Sequence, residues 1–325
     1  MYIARALYRG LLEEGLGRRM STKVPTKKDS KETEGEGSSV IFVGPSKAGK
    51  TTAIVLLHQT LIDYRDDLKC TYTPLIKNDA LDLFGEANNL VLNGISVTPT
   101  PPSKKDARIE FNLEFEGGIL SKKKRVKMLF ADMSGEISKT LMKVFPTLIN
   151  SSPQKVREQL EEANIDQEDV DYLVHTLLAA KGVILVADAG KVGSPESPDP
   201  ELAKYLNNLY QYAEAHGVSP KGYALLLTKF DQFKVPGYND PSDDKLRELT
   251  KNYLCQTENY ASNFTKRSKT RFKIFYSVLK SKGDDAEGGR LFVVNTDNPR
   301  HQSRVEYSVQ QYRQLILWLR DTFGE

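Results

Sequence analysis

A short apolar run, "VIFV" (40–43), leads directly into "GPSKAGKTT" (44–52). A run with no polar interruption is what a strand buried on both faces requires. The residues that follow, "TTAIVLLHQTLIDY", place Ile54, Leu57, Leu61 and Ile62 at helical spacing. Strand, glycine-bounded loop and helix, in that order, constrain the fold more than any other stretch of the chain. Gly44, Gly49, Lys50 and Thr51 meet the pattern G-x-x-x-x-G-K-[ST]. Glycines let such a loop curl until successive backbone N–H groups converge on a phosphate, at a helix N-terminus that already favours anions. The candidate phosphate-binding residues are Gly44, Ser46, Lys47, Ala48, Gly49, Lys50, Thr51 and Thr52. Lys50 is expected to reach the β- and γ-phosphates, and the Thr51 hydroxyl to ligate Mg²⁺.

Strands and helices alternate through the rest of the chain. "ARIEFNLEFEG" (107–117) alternates Ile109, Phe111, Leu113 and Phe115 with polar residues, predicting an edge or half-exposed strand. "RVKMLFAD" (125–132) reads as its antiparallel partner, joined by a lysine-rich turn. "GVILVAD" (182–188), "YALLLTKFD" (223–231) and "FKIFYSV" (272–278) read as further strands. Between the first two of these, Leu202, Tyr205, Leu206, Leu209 and Ala213 mark a helix that Gly217 stops. A closing helix spans 305–323, with Val309, Tyr312, Ile316 and Leu319 as its buried stripe. This alternation predicts a three-layer α/β fold with a mostly parallel sheet and one antiparallel edge strand. In such sheets ligands bind at the carboxyl ends of the strands, where each motif falls.

Composition narrows the class. A net charge of +3 over 325 residues gives no expectation of nucleic-acid binding. Cys70 and Cys255 stand far apart, in no metal-ligand spacing, which fits a reducing, cytoplasmic setting. No apolar run approaches the roughly 20 residues a spanning helix needs. Residues 21–39 are polar and Gly/Ser-rich and read as a disordered tether, so that 40–325 forms the folded domain. Ahead of it, Ile3, Leu7 and Leu11 share one helical face within 1–20. That segment reads as a short packing helix, as an over-extended start before Met20, or, less favoured, as a peripheral membrane contact.

Two further stretches carry chemistry. "LFADMSGE" ends a strand in Asp132, positioned to hold Mg²⁺ through water, and then supplies Gly135, whose backbone N–H can approach a γ-phosphate closely. "LLLTKFDQF" places Thr228, Lys229 and Asp231 at a strand end. An aspartate carboxylate accepts two hydrogen bonds from the N1–H and N2 amino group of guanine, a donor pair adenine lacks. The Lys229 stem can lie along the ring face. The same loop also serves ATPases and small-molecule kinases, so the guanine reading rests on Asp231.

"GPSKAGKT", "DMSG" and "TKFD" resemble the phosphate loop, the D-x-x-G switch motif and the [NT]-K-x-D guanine motif of translation-factor and Ras-like P-loop GTPases. The resemblance covers residues 40–323 and implies GTP and GDP as ligands, slow Mg²⁺-dependent hydrolysis, a molecular switch, and a protein effector or activating protein as partner. Within that class the long segment after the phosphate loop and the closing helix resemble the prokaryotic double-GTPase-like branch, with a small polarity or gliding GTPase as the other reading. "FYSVLK" is similar to the family's last base-contacting loop, which implies that Ser277 and Val278 offer backbone N–H groups to the guanine oxygen. The resemblance implies a switch threonine, for which Thr100 is preferred and Thr98 is the alternative. Where many relatives carry glutamine, this chain has Glu136, which accepts from water but cannot donate towards a γ-phosphate. Lys50, Gly135 and Glu136 are therefore the candidate catalytic residues, with slow hydrolysis or a group supplied from outside, which leaves a non-hydrolysing scaffold as a further alternative. Residues 137–181 read as a helical insertion, either reporting nucleotide state or adding core cover, and the four histidines form no catalytic or metal pattern.

Overall fold

Alternation along the first strand decides the layering. The computed structural model describes residues 38–45, 47–74, 85, 89–90, 108–116, 123–131, 158, 162, 180–216, 221–233, 241–268, 270–282 and 304–324. In β1 (Ser38–Val43), Val40 and Phe42 enter one apolar core while Ile41 and Val43 enter another on the opposite face. Both cores need covering, and the chain supplies helices for each. α1 (Lys50–Asp63) and the closing α6 (Val309–Phe323) pack on the Val40/Phe42 side. α3 (Asp199–His216), α4 (Asp243–Tyr253) and α5 (Cys255–Ser268) pack on the Ile41/Val43 side. A one-turn α2 (Arg65–Leu68) follows α1.

Seven strands lie between these layers in the order β2-β3-β4-β1-β5-β6-β7, with β2 Cys70–Pro74, β3 Arg108–Phe115, β4 Lys124–Ala131, β5 Ala180–Asp188, β6 Gly222–Thr228 and β7 Arg271–Tyr276. β1 pairs in parallel with β4 and β5, and β5, β6 and β7 continue in parallel. β3 runs antiparallel to both β2 and β4. The architecture is the three-layer α/β P-loop NTPase fold expected, with three refinements. The antiparallel strand is not the edge: β2, too short to show a period, lies outside it. β6 stops at Thr228, because Lys229 takes a left-handed conformation at φ 51°. The closing helix begins at Val309, because 304–307 pairs as β9 with β8 (Leu279–Lys282) in a separate two-stranded sheet. β1 also starts two residues inside the expected tether; the rest of the tether, and the insertion apart from two residues and its last two positions, lie outside the described residues.

α5 begins without a cap of its own, and α3 provides one. The Asp199 carboxylate accepts the Gln256 and Thr257 N–H groups at 3.0 and 2.8 Å. This places a negative charge at a helix N-terminus, where it is favoured.

α1 is buried on most of its circumference, and that burial includes His58, 2 % exposed against the Tyr72 ring. Burial pushes the imidazole pKa down to about 4 from about 6.5. A group whose folded pKa lies below its unfolded value makes the unfolded chain bind more protons, so stability falls as pH drops from about 6.5 towards 4. The expected loss is roughly 3 kcal/mol by the bottom of that window. Urea unfolding across the window should show it, and His58→Leu should flatten it.

Candidate functional site

The carboxyl ends of β1, β5, β6 and β7 bring together most of the described sequence-predicted residues. After β1 the chain enters the loop at Gly44, which is buried against β5. A Cβ there would collide with the Val186 carbonyl oxygen, a backbone atom that cannot step aside, so only glycine fits. The loop then makes a turn, Ala48 N–H to Pro45 O at 3.3 Å, with Lys47 at φ 62° and Gly49 at φ 82°. Left-handed residues of this kind turn backbone N–H groups inward, the geometry of an anion cradle. Gly49 is the N-cap of α1 and has no side chain with which to cap it, so the first turn's N–H groups face the loop. Thr51 and Thr52 are half-buried in this turn, and Lys47 is exposed.

Lys50 sits in the first turn of α1, 7 % exposed, and its ammonium donates to Gly44 O and Pro45 O, each at 2.9 Å. A buried cation needs such acceptors. Both carbonyls belong to the loop, so the Lys50 charge is held on the loop itself.

Thr228 ties the second motif to the first. Its hydroxyl, 4 % exposed at the end of β6, lies within hydrogen-bond reach of Ala48 O in the loop and, at 3.0 Å, of Ala187 O at the end of β5. The next residue repeats the link: Lys229 Nζ donates to Lys47 O at 2.9 Å and to Asp188 Oδ2 at 2.5 Å. The extended Lys229 stem therefore bridges the end of β6 and the loop. Asp231 follows, exposed as a residue. Withdrawal of its carboxyl from water raises its pKa, with the Leu279 N–H and the Lys280 charge opposing and the Asp188 charge adding to the rise.

Ser277 and Val278 also reach this end of the sheet, but their N–H groups are engaged within the fold. Ser277 N–H donates to Leu227 O at 2.7 Å, and Val278 N–H to Ser308 Oγ at 3.1 Å. The resemblance implies a base oxygen as their partner; in this arrangement each N–H is bonded within the protein. Ser277 N–H continues the β6–β7 ladder beyond Tyr276, while the β8–β9 pairing brings Ser308 to Val278. Ser277 is further fixed by its hydroxyl, 2.8 Å from the Tyr312 hydroxyl of α6.

Ser46, Thr98, Thr100, Asp132, Gly135 and Glu136 lie outside the described residues. β4, which leads to Asp132, ends at Ala131 next to β1. Among the described residues no cluster of three His, Cys, Asp or Glu side chains could hold a metal. One site residue escaped sequence reasoning: Asp188, 8 % exposed, which also accepts the Gly190 N–H at 3.0 Å. Its signal was present, since "GVILVAD" ends in a carboxylate just as "LFAD" does.

No family model and no curated protein matches the sequence. Among solved structures, the chain is similar to the signal recognition particle receptor SRb-GTP/SRX complex from Chaetomium thermophilum, at 13 % identity and TM-score 0.39, covering 87 % of this chain and 99 % of that one. It is also similar to a GTP-binding protein from the archaeon Sulfolobus solfataricus in complex with GDP, at 13 % identity and TM-score 0.29, covering 74 % and 46 %. A third is sup35 complexed with GDP, at 10 % identity and TM-score 0.30, covering 78 % and 40 %. At these values the likenesses decide nothing about activity, which has to be read from this chain's own loops.

Proposed function

We propose that the chain binds guanine nucleotide with Mg²⁺, hydrolyses GTP slowly to GDP and phosphate, and changes its surface for a protein partner as it does so. One observation carries this reading. Thr228 and Lys229 are hydrogen-bonded to the loop at Ala48 and Lys47, which supports one site made of the loop that would hold phosphates and the strand end that would read the base. Phosphates would lie on the Gly44–Thr52 backbone beneath Lys50, and the base beside the Lys229 stem with Asp231 accepting its N1–H and amino group.

Thr51 and the end of β4 support a magnesium site between them. Thr51 stands half-buried in the first turn of α1 beside Lys50, and β4 runs parallel to β1 and ends one residue before Asp132. Thr51, Asp132 through water, and Thr100 (or Thr98) would hold it. When bound it would neutralise charge on the phosphate oxygens. Glu136 in place of a glutamine favours slow turnover or a catalytic group from an activating protein.

Competition between GDP and ADP tests the base assignment. Wild type is expected to favour GDP by about tenfold or more, since adenine would leave the Asp231 acceptors without partners. Asp231→Asn is expected to lose that preference; an unchanged preference would sink the guanine reading in favour of an ATPase or kinase. Multiple-turnover phosphate release separates a hydrolase from a non-hydrolysing scaffold.

A further inference from the structure

We infer that Asp188 is a positioning residue for nucleotide retention: its carboxylate holds the Lys229 ammonium on the phosphate loop and so keeps the two halves of the site together. The inference rests on the guanine-nucleotide reading above and names a residue outside its three motifs.

Lys229 has a long stem and a left-handed backbone at φ 51°, a conformation costly for a side-chain-bearing residue unless its surroundings fix it. Its ammonium makes two polar contacts, with Lys47 O and with Asp188. The carbonyl is a weak neutral acceptor on an exposed residue. The carboxylate is the strong one, because a charge-assisted bond is about twice a neutral one. Asp188 is itself held. It ends β5, between β1 and β6, is nearly buried, and takes the Gly190 N–H on its other oxygen. That bond caps the short 3₁₀ turn at Ala189–Lys191 and fixes which way the free oxygen points. A rigid strand end thus orients a flexible lysine, and the lysine spans to the loop. The charge reaches Asp231 as well, where it adds to the rise of that carboxyl's pKa. Without Asp188 the Lys229 stem would lose its fixed course, and with it the flat surface offered to the base.

The test is the dissociation rate of a fluorescent GDP analogue from the full chain. Asp188→Asn keeps shape and an acceptor oxygen but removes the charge. It is expected to speed release about tenfold, a figure below that of a fully buried ion pair because the Lys229 side chain is about a third exposed. In a Lys229→Met background the same change should add nothing, since Asp188 acts through that lysine. The urea midpoint of the nucleotide-free protein should move by less than the release rate implies, which a purely structural role would not produce. Release from Asp188→Asn within about twofold of wild type, or an effect that persists in the Lys229→Met background, would overturn the proposal. Should Asp188→Asn not fold, Lys229→Met breaks the link from the other side with Asp188 intact, and unaltered release would overturn it equally. Wild type that binds neither GDP nor ADP overturns the nucleotide reading and this proposal with it. Wild type that binds GDP with an insensitive Asp188→Asn overturns this proposal alone.

Discussion

Lys50→Met is expected to weaken GDP and GTP binding by about a hundredfold or more while leaving a folded protein. Removing one member of a buried, hydrogen-bonded charge pair costs about 2–5 kcal/mol, and 2.7 or so already corresponds to about a hundredfold. Lys50 meets the condition for the large end of that range, being 7 % exposed and projecting over the cradle from the first turn of α1. The free protein should tolerate the change. Gly44 O and Pro45 O lose a donor at about 1 kcal/mol each, but a buried cation disappears with it, and methionine fills the same volume. Isothermal titration with GDP, beside urea unfolding of the nucleotide-free protein, measures both sides. Affinity within about threefold of wild type would show that the ammonium does not meet a phosphate.

Phe323→Ala should give the opposite signature: a large loss of stability with nucleotide affinity retained. The Phe323 ring is fully buried at the end of α6 and lies on the amino ends of β5 and β6, where Gly182 and Gly222 leave a floor for it. A Cβ at Gly182 would collide with the ring, so the two glycines and the aromatic form one fitted contact, with Trp318 edge-on to the ring at 5.3 Å. Deleting a buried phenylalanine costs about 3–5 kcal/mol through lost transfer energy and the cavity left. Gly182 and Asp188 stand six residues apart on β5, about 20 Å along a strand, so the site at the other end should not register the loss. Urea unfolding and GDP titration on one preparation would show both. A parallel fall in affinity would mean that the sheet does not insulate its two ends.

What could be read in advance follows from how each element is buried. β1, β5 and β6 are covered on both faces, and such strands announce themselves as unbroken apolar runs. The phosphate loop is legible because its chemistry dictates residue types at fixed spacing. β2 is not, because "CTYTP" has too few residues to establish a period. β9 is hidden in the sequence because Val305, Val309 and Tyr312 keep helical spacing across the break. The break itself is made by Ser308, whose hydroxyl is drawn to Tyr276 O and Val278 N–H, contacts between residues about thirty positions apart. α4 carries a usable signal: Ser242 caps it by accepting the Lys245 N–H, and Leu246 and Leu249 face the core. Within the site the residue types were legible but their destinations were not. Lys50 and Lys229 look alike as sequence; one bends to its own loop and the other crosses to a loop 182 residues away.

That last separation bears on how the molecule comes to exist. The cradle at Gly44–Gly49 is synthesised early, yet the hydroxyl that secures it at Ala48 arrives 180 residues later. β1 likewise waits for β5 before it has neighbours on both sides. Closing so long a loop is an entropic cost met before any contact returns it, which makes such pairings slow. A chain still short of Thr228 therefore holds the glycines and lysine of the loop without the shape that makes them useful. The capacity to retain a nucleotide should emerge late and abruptly during folding, and a ligand that binds only the finished site would draw the last step forward.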